Sequence, residues 1–132
     1  MRFVQFAIMI MLASATLLAC KKDKASSTSN AAIEGKWMGK YGFDNETPAI
    51  FYGFNIKPGG VLEEFGESGM KIAQGTWKLE NNIFTGNTVS LLGSNNEYSV
   101  IAAFNEAKGE LLGNWGYDES ATDGGTFTMK KQ

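Results

Sequence analysis

Residues 71–92 read KIAQGTWKLENNIFTGNTVSLL. Ala73, Gly75, Trp77 and Leu79 alternate with Gln74, Thr76 and Lys78, then Glu80-Asn81-Asn82 interrupts and a second β-rich run starts at Ile83. Alternation with period two is the pattern of a half-buried strand, and a very short polar break between two such runs is a hairpin turn. The stretch therefore predicts two antiparallel strands, over 71–79 and 83–92.

The same pattern continues outward in both directions. Upstream lie 36–43 (Trp37, Tyr41 and Phe43 on one face), 49–57 (Ile50, Tyr52, Phe54 and Ile56) and 61–65. Downstream lie 97–104 (Tyr98, Val100, Ala102, Phe104), 110–117 (Leu111, Gly113, Trp115, Tyr117) and 126–131 (Phe127, Met129). Turn clusters separate them at Pro58-Gly59-Gly60, Gly66–Gly69, Gly93–Asn96 and Asn105–Gly109. No window sustains a helical period, and 105–108 allows one helical turn at most. Eight short strands joined in sequence order predict an all-β, eight-stranded antiparallel up-and-down (meander) barrel over residues 33–132. Closure removes the exposed edges that an aromatic-rich sheet would otherwise present.

The N-terminal quarter reads differently. Met1-Arg2 is a short positive start, Phe3 to Leu18 is almost wholly apolar, and Leu17-Leu18-Ala19-Cys20 follows. Charge, short apolar stretch and small residue make a secretory signal over residues 1–19. The apolar run is short of the roughly 20 residues of a membrane span. After it, 21–30 reads KKDKASSTSN, the composition of a flexible tether, so 20–32 is read as linker. Leu-Leu-Ala-Cys resembles the lipobox of bacterial lipoproteins. That resemblance implies removal of the signal peptide, diacylglycerol and N-acyl chains on Cys20, and attachment to a membrane through that lipid. Several chains are needed because one holds a protein only marginally. Lys21 follows the cysteine where an aspartate would mark inner-membrane retention in the enteric sorting rule, so the implied address is the cell envelope, at the outer membrane.

Composition narrows the function. The 132 residues hold one cysteine and no histidine. No intramolecular disulfide, histidine-based triad or cysteine-rich zinc site can form, and neither a metal nor another cofactor is expected. An enzyme is not expected either. Residues 33–132 carry eight lysines against thirteen carboxylates, net −5, which disfavours nucleic acid as a partner.

One feature recurs: Gly35-Lys36-Trp37, Gly75-Thr76-Trp77 and Gly113-Asn114-Trp115. A glycine two residues before each tryptophan, on the same face, either leaves room for a bulky neighbour or permits the bend of a closing barrel. Ile33-Glu34-Gly35-Lys36-Trp37 at the head of the first strand resembles the opening Gly-x-Trp of the calycin barrels: lipocalins, fatty-acid-binding proteins and avidins. In lipocalins that tryptophan packs across the closed end. Among them the chain most resembles the short lipocalin-like lipoproteins of Bacteroidetes. Met38-Gly39-Lys40-Tyr41 stands where avidins carry their ureido-binding residues, so biotin is not implied.

The resemblance implies a ligand held inside the barrel, and the inward aromatics are the candidates for its wall: Trp37, Tyr41, Tyr52, Phe54, Trp77, Tyr98, Trp115 and Tyr117. Trp37 is expected as the floor, and Gly39, Gly75, Gly113 and Ala102 would leave volume. The expected function is binding of a small apolar or amphipathic ligand. The alternative is a filled barrel acting as a protein-interaction or inhibitor module through loops 44–49, 66–70 and 118–125. A cavity of about 300 Å3 or more separates the two. Glu63, Glu64 and Glu67, like Asp44 and Glu46 or Asp118, Glu119 and Asp123, read as solvated hairpin tips. Glu63 with Glu110 is the pair that a hydrolase would need.

Overall fold

The computed structural model describes residues 30–132. The proposed signal peptide, Cys20 and the tether up to Ser29 lie outside the described residues. The strands are β1 (Gly35–Tyr41), β2 (Ile50–Lys57), β3 (Val61–Phe65), β4 (Lys71–Glu80), β5 (Ile83–Ser90), β6 (Glu97–Asn105), β7 (Glu110–Tyr117) and β8 (Gly125–Lys131). They form a closed barrel in sequence order, every neighbouring pair antiparallel. The meander read from the alternation is the observed architecture.

Closure is made by β1 against β8, in register from Trp37↔Lys131 to Tyr41↔Phe127. The glycines before the second and third tryptophans show what the bend requires. A Cβ on Gly75 would overlap the carbonyl oxygen of Asn87 on β5, and one on Gly113 that of Ile101 on β6. Both therefore permit close approach of backbone to backbone, rather than clearing space for a large side chain. The β4–β5 turn has Asn81 and Asn82 both at positive φ, as a two-residue primed hairpin turn demands.

Two strands end earlier than their alternation suggests. β1 stops at Tyr41, because Asp44 adopts a positive φ and the Glu46 amide donates to the Phe43 carbonyl, closing a turn. β5 stops at Ser90, whose hydroxyl accepts the Leu92 amide and draws the chain away from the ladder. Asn105–Lys108 is a turn, with the Asn105 side chain accepting the Lys108 amide.

A helical turn, α1 (Asn30–Ile33), precedes β1 and plugs one end. Ile33 and Trp37 are fully buried there, and the Trp37 indole N–H donates to the Ile33 carbonyl at 2.7 Å. Lys131 Nζ donates to the Ala32 carbonyl from the last strand, fastening the plug to the chain's other end. Behind the plug the barrel is solid. Phe54, Phe84, Leu62, Leu111, Phe127 and Met129 are each 2% exposed or less. Side chains of that size contribute about 1.5–3 kcal/mol each on full burial. At the other end the loops 42–49, 66–70, 91–96 and 118–124 surround a mouth.

Candidate ligand cavity

Beneath that mouth lies a cavity of about 330 Å3. The alternation of each strand sends residues to it by level. Tyr41 ends β1, Tyr52 lies early in β2, Tyr98 opens β6, and Trp115 and Tyr117 end β7, so all five project inward in the open half. Their rings meet edge to face: Tyr41 with Tyr52 at 5.2 Å and with Trp115 at 5.4 Å, and Trp115 with Tyr117 at 5.3 Å. Such contacts fix ring orientation as well as adding cohesion. The Trp115 N–H is satisfied by the Gly42 carbonyl at 3.0 Å. Phe43, just beyond β1, sets its ring against Trp115 at 5.4 Å.

The other three candidates sit elsewhere. Trp37 belongs to the plugged end, with its ring 6.0 Å from Phe104. Trp77 stacks on Phe84 and donates its N–H to the Lys57 carbonyl at 2.8 Å. Phe54 is fully buried between Tyr52 and the solid half. None of the three lines the cavity. Its inner boundary is Tyr52, whose ring also meets the edges of Phe54 (4.8 Å) and Phe127 (5.5 Å).

The polar centre is a residue that the sequence reading placed on a solvated tip. Glu64 is 7% exposed and lines the cavity. On β3, Leu62 and Glu64 share the inward face while Glu63 points out, and Phe65, past a register shift, lays its ring over Gly53 on the outer face, against Phe51 and beneath the Lys36 ammonium. Glu64 Oε1 accepts from the Tyr52 hydroxyl at 3.2 Å and from the Thr88 hydroxyl at 3.4 Å. Oε2 takes no hydrogen bond from the described residues. No buried side-chain oxygen among them lacks a partner, so Oε2 opens on the cavity. Period two was the available signal: once Leu62 faces inward, Glu64 must too.

Burial drives the Glu64 pKa up to about 7, and the hydroxyls of Tyr52 and Thr88 only partly oppose it. Burial, reinforced by the Glu64 charge, also raises the Tyr52 phenol well above its ordinary range and raises that of Tyr41. Glu63 behaves oppositely. It lies on the outer face between Lys57 (2.9 Å) and Lys71 (3.3 Å), and the Lys57 hydrogen bond leads in lowering its pKa. Glu63 and Glu110 stand apart, Glu110 on β7 opposite Lys130. Among the described residues no group of three or more metal-ligating side chains assembles, and no helix is long and apolar enough to cross a membrane.

A closed eight-stranded meander, plugged at one end and hollow at the other, is a lipocalin-like barrel. No protein-family model matches the chain, and neither does any curated protein sequence. Among solved structures, the crystal structure of an LTBP1 point mutant in complex with leukotriene C4 is similar. Its TM-score is 0.54 at 12% identity, over 82% of this chain and 72% of that one. The likeness is one of fold.

The buried carboxyl gives a pH dependence of stability. With a native pKa of about 7 against an ordinary 4.5, the folded chain keeps a proton that the unfolded chain has released. Stability from this group therefore falls as pH rises from about 4.5 to 7 and is flat above, a loss of roughly 3 kcal/mol at most. Urea unfolding of the wild type minus that of Glu64→Gln, followed from pH 4.5 to 8, should decline by that order. A constant difference would contradict the burial.

Proposed function

We propose that this chain is a lipid-anchored protein of the cell envelope whose barrel takes up a small apolar or amphipathic molecule through its open end. The observation that carries the binding reading is the 330 Å3 cavity, walled by Tyr41, Tyr52, Tyr98, Trp115 and Tyr117 around one buried carboxyl. Its volume falls in the range of ligand sites, and its composition, mostly aromatic with a few placed polar groups, is theirs as well. A filled barrel acting only through its loops would not need this space. The LTBP1 mutant, solved with leukotriene C4, is an instance of this fold in a complex with an amphipathic molecule.

Anchoring at the outer membrane through acylated Cys20 rests on the Leu17-Leu18-Ala19-Cys20 sequence and the polar stretch after it. The fold supports it in one respect. The first described element, α1, enters the barrel at the plugged end, opposite the mouth. No catalytic role is proposed.

Two measurements test the two halves of the proposal. N-phenyl-1-naphthylamine, a neutral apolar fluorophore, should bind saturably at one per barrel and quench tryptophan emission. Ala73→Phe, which fills the cavity from β4, should abolish this with the β-sheet circular dichroism retained. Absence of saturable binding by the wild type would leave the loop-mediated alternative. Separately, cells fed radiolabelled palmitate should label the wild type and not Cys20→Ser, which should also lose membrane fractionation. Equal labelling of the two would remove the anchor.

A further inference from the structure

The cavity has a polarity of its own that the reading as an apolar pocket does not use. It is lined by aromatic faces and carboxylates, and no lysine or arginine among the described residues lines it. Glu64, 7% exposed, directs Oε2 into it without a hydrogen-bond partner among the described residues. The titratable groups that share the space are the phenols of Tyr41 from β1, Tyr52 from β2, Tyr98 from β6 and Tyr117 from β7, with Glu67 at the rim. β4 contributes Ile72 and Ala73 and β5 contributes Ser90, while Thr88 of β5 bonds Glu64 without lining the cavity.

The mouth carries the same sign. The four loops around it hold Asp44, Glu46, Glu67, Asp118, Glu119 and Asp123, and not one basic residue. The lysine next to them in sequence, Lys71, is drawn to Glu63 on the outer face. Lys108, Lys130 and Lys131 lie toward the plugged end. A ligand approaching the cavity therefore passes a ring of negative charge before it meets a buried carboxylate among ring faces.

We infer that the preferred ligand is an organic cation, an apolar body bearing a protonated amine, whose ammonium group is held by Glu64 Oε2 between the rings of Tyr41, Tyr52, Tyr98 and Trp115. This rests on the binding reading above and specifies the class of ligand. Three effects act together. The ammonium supplies the hydrogen-bond donors that Oε2 lacks, and charge-assisted bonds are the strong ones. Aromatic faces attract cations, most when the site is desolvated. The acidic rim raises the local concentration of cations and opposes anions. An anionic headgroup would meet the opposite of each.

Binding of the cation stabilises ionised Glu64, so affinity should rise with pH through neutrality. The test uses three molecules with one skeleton: 2-phenylethylammonium, 2-phenylethanol and 3-phenylpropanoate, titrated calorimetrically into the barrel domain and into the full chain in detergent. At pH 8 and low salt the ammonium should bind at least tenfold more tightly than either other compound. The preference should shrink several-fold at pH 5.5. Glu64→Gln should lose it while still binding the alcohol. If the alcohol binds and the ammonium shows no advantage, or if Glu64→Gln keeps the advantage, the cation assignment is overturned and the cavity reading survives. If the carboxylate binds best, the assignment fails outright. If none of the three binds and the neutral fluorophore does not either, both readings fail together.

Discussion

Eight strands enclose a volume only when the last is hydrogen-bonded to the first. Here that seam runs from Trp37↔Lys131 to Tyr41↔Phe127. Every inward side chain owes its environment to it, because an open sheet would show the same faces to water. The seam also draws the two ends of the domain together: Lys131 reaches back to the Ala32 carbonyl, and the Gln132 amide reaches the Lys36 carbonyl. The plug is therefore held by the ladder that closes the wall. The close strand approaches at Gly75 and Gly113 belong to the same requirement, since a curved wall brings backbones nearer than a Cβ permits.

Closure divides the interior unequally. Near α1 the large side chains Trp37, Phe54 and Phe84 are fully buried, the last two with their rings 6.1 Å apart. Nearer the mouth the strands carry tyrosines, whose hydroxyls need partners and whose rings brace one another at the wall. Glu64 sits in this half and takes the Tyr52 and Thr88 hydroxyls on one oxygen. A carboxyl so far from water is costly when ionised, and a barrel with no binding role would gain by replacing it with leucine. In the proposed site, a ligand supplies the partner that the uncommitted oxygen lacks among the described residues.

The strands and their order were legible because alternation, turn residues and hairpin lengths all pointed to one topology. Height along the barrel was not. Period two gives the face a side chain takes but not its level, and level depends on how the strands stagger around the wall. Trp37, Phe54 and Trp77 have the same inward signature as Tyr41, Tyr52 and Trp115, yet the stagger puts them in the solid half. Glu64 escaped for another reason. Two glutamates in a row look like a solvated tip, and the rule that carboxylates avoid burial outweighed the parity that Leu62 imposes on β3. The early ends of β1 and β5 came from local competition, at Asp44 and Ser90, which alternation does not register.

The account turns on one group, the Glu64 carboxyl enclosed among tyrosines with an oxygen facing the cavity. Its ionisation can be followed directly by 13C NMR of the glutamate side-chain carboxyl carbons, assigned through the spectrum of Glu64→Gln. The absent resonance should be the one that titrates near pH 7, and it should move to lower pH when a cationic ligand occupies the cavity. A Glu64 resonance titrating at the ordinary 4.5, indifferent to added ligand, would place that carboxyl in water and contradict the site.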